Sequence, residues 1–370
     1  MSFDADAGEP GAPAAPGSAV LAEPAGSAPG SVEGERATLQ VIADEASVSL
    51  STVSKVLNGR GGVGEKTRSR VEGLLQHYGY LRRGTAHVST LIELVFGELG
   101  SEWTLEVIRG VERVAKANGL SIVVTESGDR RQPADGWLEG ALERRPVGVV
   151  LVLSGLPEES RRRLRVRNIP FVVIDPAGDP PPDVPSVGAQ NWSGGMQAAR
   201  HLLDLGHRRI GVIAGPEDML MARARLSGFR SALEAAGVAL PEQYVITGDF
   251  HLDSGVFAGT QLLSLPEPPT AIFALSDLQA LGVYEAARAL GVSVPDQLSV
   301  VGYDDLPVAA WVGPPLTTVR QPTADMAEQA THLVLHQREY GDQENLRIDL
   351  ATELKVRGST AAPPRLTGGN

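Results

Sequence analysis

The chain has no cysteine among its 370 residues. That excludes a disulfide framework, a thiol nucleophile and a cysteine-ligated zinc site, and it fits a reducing cytoplasm. No apolar run reaches ~18 residues, so no transmembrane helix and no membrane partner are expected. Met1 to Ala15 has no basic segment leading into an apolar one, so no secretory signal is expected. Lysine and arginine are absent from residues 1–35, which instead carry six acids, six Gly, five Pro and nine Ala. Such a stretch buries too little apolar surface to offset its ordering entropy and reads as a disordered tail; residues 361–370 read the same way.

What remains is ordinary for a globular protein: 42% hydrophobic and 21% charged residues. The length predicts two or three domains. A net charge of −12 argues against nucleic acid at face value, but its distribution decides. From Arg36 to Gly84 eight bases face four acids. A small basic module therefore sits between an acidic tail and an acidic body.

The basic module, residues 36–80, reads as three short helices. Leu39, Ile42, Ala43 and Ala46 follow a helical period, with Thr38 as N-cap. Ser49 can cap a second helix whose buried side is Val53, Val56 and Leu57. A third has Val71, Leu74, Leu75 and Tyr78 on one face and Gly79 as its stop. A helix, a short break and a second helix is the pattern that places the second helix in a major groove. Residues 81–90 form a short linker.

From Ser89 onward, apolar β-rich runs alternate with amphipathic helices. The strands expected are Leu91–Phe96, Leu120–Thr125, Gly148–Leu153, Phe171–Asp175, Ile210–Ala214, Tyr244–Thr247, Ala271–Ala274 and Ser299–Tyr303. Leu105–Asn118 and Asp277–Leu290 are among the helices between them. Apolar strands separated by helices imply parallel sheets covered on both faces. The length implies an α/β body of two doubly wound lobes, about 91–187 with 322–345 and about 188–321 with 346–360. Ligands in such sheets bind beyond the carboxyl ends of strands, and Asp175, Ser276-Asp277 and Asp304-Asp305 lie there.

Several motifs lose on context. Gly59–Gly64 matches GxGxxG by letter, but a helix precedes it and position 79 is Gly, not an acid. Glu65 between Gly64 and Lys66 breaks a Walker-A match. No GxSxG occurs. His332 and His336 form half a zinc site with no third ligand nearby, and a solvated helix face explains them. No catalytic set, metal site or cofactor is expected.

Val48-Ser49-Leu50-Ser51-Thr52-Val53-Ser54-Lys55-Val56-Leu57-Asn58-Gly59 is far more specific. It resembles the helix-turn-helix of the lactose/galactose repressor family of bacterial transcription regulators. Gly79-Tyr80, His201–Ile210, Arg225-Leu226-Ser227-Gly228-Phe229, Ser299–Asp305, Pro315–Val319 and Thr352–Thr360 extend the resemblance, in order, over residues 37–360. It implies a helix-turn-helix head on a body like that of periplasmic binding proteins. It also implies a homodimeric repressor whose partners are operator DNA and a small-molecule effector, most often a sugar. In that frame Thr38, Ser49, Leu50, Ser51, Thr52, Lys55 and Asn58 are the DNA-contacting candidates of the head, and Arg82 and Arg83 those of the linker. Asp175, Arg225 and Asp304 fall where the family binds ligand hydroxyls, Phe250 where an aromatic stacks, and Trp103 in the first strand–helix loop as a second stacking group. Ser276 stands where the family has Asn, a shorter donor. The linker lacks the family's hinge-helix core with its leucine wedge. The alternative is a stand-alone sugar-binding protein without a DNA role, which a DNA-binding assay separates.

Overall fold

The computed structural model describes residues 38–57, 62–78, 89–128, 135–341 and 346–364. Asn58, Arg82, Arg83 and the acidic tail lie outside them, as does most of the linker.

The head packs α1 (Leu39–Glu45), α2 (Leu50–Leu57) and α3 (Glu65–His77) around Ile42, Ala46, Val53, Val56, Val71 and Leu75. Two details differ from expectation. Thr38 occupies the N-cap position of α1 but makes no side-chain cap bond. Tyr78 turns outward, 37% exposed, and its hydroxyl donates to Glu45 Oε2 at 2.6 Å.

In the body, β1 (Leu91–Phe96), α4 (Glu102–Ala117), β2 (Ser121–Glu126), α5 (Asp135–Arg144), β3 (Gly148–Val152), α6 (Glu158–Val166), β4 (Phe171–Ile174) and β5 (Ser186–Ala189) build the first lobe. The chain then crosses into α7 (Asn191–Asp204), β6 (Ile210–Ala214), α8 (Leu220–Ala235), β7 (Val245–Thr247), α9 (Leu252–Leu263), β8 (Ala271–Ala274), α10 (Asp277–Leu290), β9 (Ser299–Asp304), α11 (Pro307–Trp311) and β10 (Thr317–Arg320). It returns as α12 (Thr323–Tyr340) and β11 (Arg347–Leu350), and crosses a last time to β12 (Glu353–Lys355). The first sheet runs β11-β5-β4-β3-β1-β2 and is parallel throughout; the second runs β12-β10-β9-β8-β6-β7, with only β12 antiparallel.

Two boundaries differ from expectation. The segment from 346 does not begin the second lobe's share: Arg347–Leu350 pairs with β5 in the first sheet. Its alternating exposed and half-buried residues mark an edge strand, a weaker signal than the continuous apolar runs inside. The C-terminal segment is also anchored further than expected. The Ala361 carbonyl lies 2.9 Å from Nε2 of His207, and its N–H donates to Ser299 Oγ at 3.0 Å.

The apolar runs explain the layers. All five residues of β3 and of β6 are buried, and helices cover both sheet faces. Close helix approach positions the site. Any side chain at Gly195 would strike the carbonyl of Arg225, and one at Gly228 that of Trp192. α7 and α8 therefore meet backbone to backbone, which brings Asn191 beside Arg225.

Candidate functional site

Each sheet reverses its winding once, between β1 and β3 in the first lobe and between β6 and β8 in the second. The crevice at such a reversal is where open α/β sheets receive ligands. The two crevices face each other across a cavity of ≈ 460 Å³, within the size range of small-molecule sites. Its first-lobe wall comes from the ends of β1, β3 and β4 with Trp103; its second-lobe wall comes from Met219, Met221, Arg225, Phe250, Ser276 and Asp304.

The six residues expected around an effector, Trp103, Asp175, Arg225, Phe250, Ser276 and Asp304, all line this cavity. Trp103 lies not in a loop but in the first turn of α4, 9% exposed. Four of the lining residues, Leu153, Asp175, Phe250 and Asp304, hold left-handed backbone angles, with φ of 50°, 43°, 74° and 111°. Side-chain residues rarely adopt this region, and such strain gathers at binding sites.

Arg225 is the hub of the floor. Its Nε donates to Asn191 Oδ1 at 2.9 Å, Nη1 to the Leu275 carbonyl at 2.7 Å and Nη2 to Gln321 Oε1 at 2.5 Å. Asp304 Oδ1 stands 3.4 Å from Nη1, and the Tyr303 ring covers the guanidinium at 3.7 Å. Gln321, on the crossover to α12, donates its Nε2 to Asp175 Oδ2 at 2.7 Å. Burial pushes the Asp175 carboxyl up to about 6, against the pull of Arg225 and the Gln321 bond. It pushes Asp304 further, to about 7, where nearby Asp175 adds repulsion. Asp277 is raised well above the usual carboxylate range by burial and by Asp304; it accepts from the Leu306 N–H at 2.7 Å and Thr318 Oγ1 at 2.5 Å.

Ser276 is otherwise engaged. Its Oγ accepts from the Gln279 N–H at 3.1 Å, capping α10, and donates to the Phe250 carbonyl at 2.9 Å. Glu98, Asp249 and His251 also line the cavity and were not anticipated, nor were the buried partners Asn191 and Gln321. Asp249 and His251 flank Phe250 in sequence and could have been found from it. Asn191 and Gln321 carry no such signal, because each acts only through a residue distant along the chain. Among the described residues no group of three His, Asp or Glu is placed to hold a metal ion. No described helix is long and apolar enough to cross a membrane.

In the head, Ser49, Leu50, Ser51 and Lys55 are exposed and Thr52 is half-buried. Ser49 Oγ accepts from the Thr52 N–H at 3.2 Å and lies 2.8 Å from Ser51 Oγ and 2.9 Å from Thr52 Oγ1. A hydroxyl cluster thus caps α2 at its exposed N-terminal end, the end that meets base edges in helix-turn-helix proteins.

Residues 38–83 match the bacterial regulatory proteins of the lacI family, and residues 199–360 match the periplasmic binding protein-like domain. Over 333 residues the chain is 34% identical to the HTH-type transcriptional repressor CytR of Escherichia coli strain K12, covering 89% of this chain and 97% of that protein. The chain belongs to the lacI family of bacterial regulatory proteins. It is 35% identical to the ribose operon repressor of the same strain over 331 residues, which is 87% of this chain and 99% of the other. Among solved structures it is similar to the complex of the transcriptional regulator CelR with cellobiose. That likeness has a TM-score of 0.65 at 34% identity and covers 88% of this chain and all of the other. The lac repressor dimer bound to operator and an anti-inducer gives a TM-score of 0.66 at 26% identity, over 89% of this chain and all of the other. This family member is a DNA-binding transcription regulator with an α/β effector body.

Proposed function

We infer that this regulator is a cytoplasmic, homodimeric repressor whose operator affinity is set by a sugar bound between its lobes, and that it has no enzymatic activity. The observation that carries the sugar assignment is the convergence of Asp175, Arg225, Asp304, Trp103 and Phe250, from both lobes, on one cavity. Sugar hydroxyls need carboxylate acceptors in a fixed array, and the apolar face of a pyranose needs an aromatic platform. Trp103 and Phe250 serve as those platforms, while Asp175 and Asp304 accept hydrogen bonds from the hydroxyls.

The mechanism is a population shift. A ligand touching both lobes favours the lobe arrangement in which those contacts are made, and so changes the spacing of the two heads in the dimer. In the head, Leu50, Ser51 and Lys55 read base edges, while Ser49 and Thr52, with Thr38 and Asn58, position the backbone. The cellobiose bound to CelR supports the carbohydrate class.

The test is operator binding by the purified full chain with and without a panel of mono- and disaccharides, with thermal shifts in parallel. A ligand that binds only the folded state raises its apparent stability. Specific DNA binding that responds to at least one sugar is expected. Operator binding indifferent to every sugar that shifts the melting temperature would overturn the effector mechanism.

A further inference from the structure

Arg225 lies in the ligand cavity, yet its donors are nearly exhausted. A guanidinium grips a carboxylate or phosphate through two parallel N–H groups. The edge best shaped for this, Nε with Nη2, is closed here: Asn191 Oδ1 takes Nε at 2.9 Å and Gln321 Oε1 takes Nη2 at 2.5 Å. Nη1 is held by the Leu275 carbonyl at 2.7 Å, with Asp304 3.4 Å away. One face of the plane is covered by Tyr303. One Nη2 hydrogen is left, and no parallel pair.

Gln321 is the keystone of this arrangement. Its amide has one acceptor and two donors, and it uses both kinds: the oxygen faces Arg225, and the nitrogen faces Asp175 at 2.7 Å. The reverse orientation would set N–H against N–H and oxygen against carboxylate, so the partners fix the amide. Gln321 is 3% exposed, so no water can replace it cheaply.

Resting on the sugar reading above, we propose that Gln321 determines effector specificity: by sealing Arg225 it makes the cavity a reader of uncharged sugars that rejects sugar phosphates and sugar acids. An incoming anion would have to strip Arg225 from buried partners and would then lie against Asp175 and Asp304, with Glu98 and Asp249 at the same cavity. A neutral hydroxyl displaces nothing. It donates to a carboxylate and accepts the one remaining N–H.

The experiment uses the full chain and matched pairs: glucose with glucose 6-phosphate and glucuronate, ribose with ribose 5-phosphate, cellobiose with its aldonic acid, and inorganic phosphate alone. Dissociation constants come from calorimetry. An uncharged sugar should bind, and its anionic counterpart should bind ~100-fold more weakly or worse, the discrimination reached when buried polar groups must be left unpaired. Gln321→Leu opens Nη2 and Asn191→Leu opens Nε, so each should narrow that ratio by ~10-fold or more. Gln321→Glu keeps an oxygen on Nη2, sets a second oxygen and a negative charge against Asp175, and should reject anions at least as strongly as the wild type. Either leucine variant that folds suffices for the comparison. Anionic counterparts that bind the wild type as tightly as the parent sugars would overturn the proposal while leaving the sugar reading intact. So would leucine variants that bind the neutral sugar with undiminished selectivity. A panel in which nothing binds would remove the sugar reading, and this proposal with it.

Discussion

Ser276 Oγ donates to the carbonyl of Phe250 across 2.9 Å, and thereby ties the start of α10 to the loop that presents an aromatic ring to the cavity. The same oxygen caps α10 through the Gln279 N–H. Phe250 sits at φ 74°, a conformation an aromatic residue holds only when its surroundings impose it. We propose that Ser276 acts on the ligand through Phe250.

Removing that hydroxyl should therefore cost twice. Ser276→Ala loses a helix cap, ~1 kcal/mol of stability, and frees the Phe250 loop. Effector affinity should fall several-fold even though no direct ligand contact is lost. Phe250→Ala in the Ser276→Ala background separates the two effects. If the serine acts through the ring, the double variant binds effector no worse than Phe250→Ala alone.

Arg225→Ala should be more severe. It removes the charge that Asp304 and Asp175 face and leaves Asn191, Gln321 and the Leu275 carbonyl without their buried donor. Breaking a buried pair in this way costs ~3–5 kcal/mol. Effector response should vanish. Operator affinity at temperatures well below unfolding should change little, because the head has its own core. Denaturant melts and operator titrations on the same preparation check both halves.

The raised carboxyls make stability depend on pH. Asp304 ionises near 7 in the folded state, against an ordinary value of 3.8. The native state therefore holds a proton that the unfolded state has released across the interval between them. Stability from this group is greatest at the acid end and is lost as pH rises to about 7, above which the curve flattens. Asp175 acts the same way up to about 6. His201 and His207, whose basicity burial lowers, oppose this below ~6.5, so the wild-type curve alone is a sum. The difference between wild type and Asp304→Asn removes the histidines, which are common to both, and reports Asp304 together with the upward push it exerts on Asp277. That difference should slope between pH 5 and 7 and level off by pH 8. A flat difference would mean that Asp304 is ionised throughout.

Much of this was legible in the sequence, for definite reasons. Ile210–Ala214 and Ala271–Ala274 are legible to the residue because short continuous apolar runs that begin after a polar residue admit little else. Asp175, Ser276 and Asp304 could be picked out because they follow such runs directly. The lobe of Arg347–Leu350 is not legible in the sequence because an edge strand alternates and carries charge. Gln321 was invisible because its meaning lies in two partners, Asp175 and Arg225, that only the folded crossover brings together.

We assign the reading of DNA to the exposed face of α2. Lys55 lies on that face in the last turn of the helix, not in its early part as expected, opposite the buried Val53, Val56 and Leu57. A lysine on that face can reach guanine O6 and N7 in the major groove. Lys55→Ala should weaken the preferred operator by ~1–3 kcal/mol and leave unrelated DNA less affected. Ser49→Ala should act differently. It removes the cap of α2 and the centre of the hydroxyl cluster, so it should weaken all sequences alike and lower head stability by ~1 kcal/mol. Competition titrations with operator and random duplexes distinguish the two. Equal losses for Lys55→Ala on both duplexes would reduce Lys55 to a phosphate contact.

The linker supports the last prediction. Residues 81–90 include Arg82 and Arg83 and no central leucine of the wedge type. Fully extended, ten residues span at most ~33–36 Å. Minor-groove wedges kink DNA by inserting an apolar side chain between base steps, and this segment offers none at its centre. We propose that its arginines bind phosphate instead. Operator DNA should then be bent little, and affinity should fall steeply with salt, because each neutralised phosphate releases counterions. Replacing both arginines by alanine should lower the slope of log K against log salt by ~2. If the linker inserts no wedge between the heads, one base pair added between half-sites should be tolerated better than a kinked centre would allow. A circular-permutation assay on operators of altered spacing reads both quantities. A sharp central kink, together with strict intolerance of that insertion, would show that the linker forms an ordered wedge from other residues.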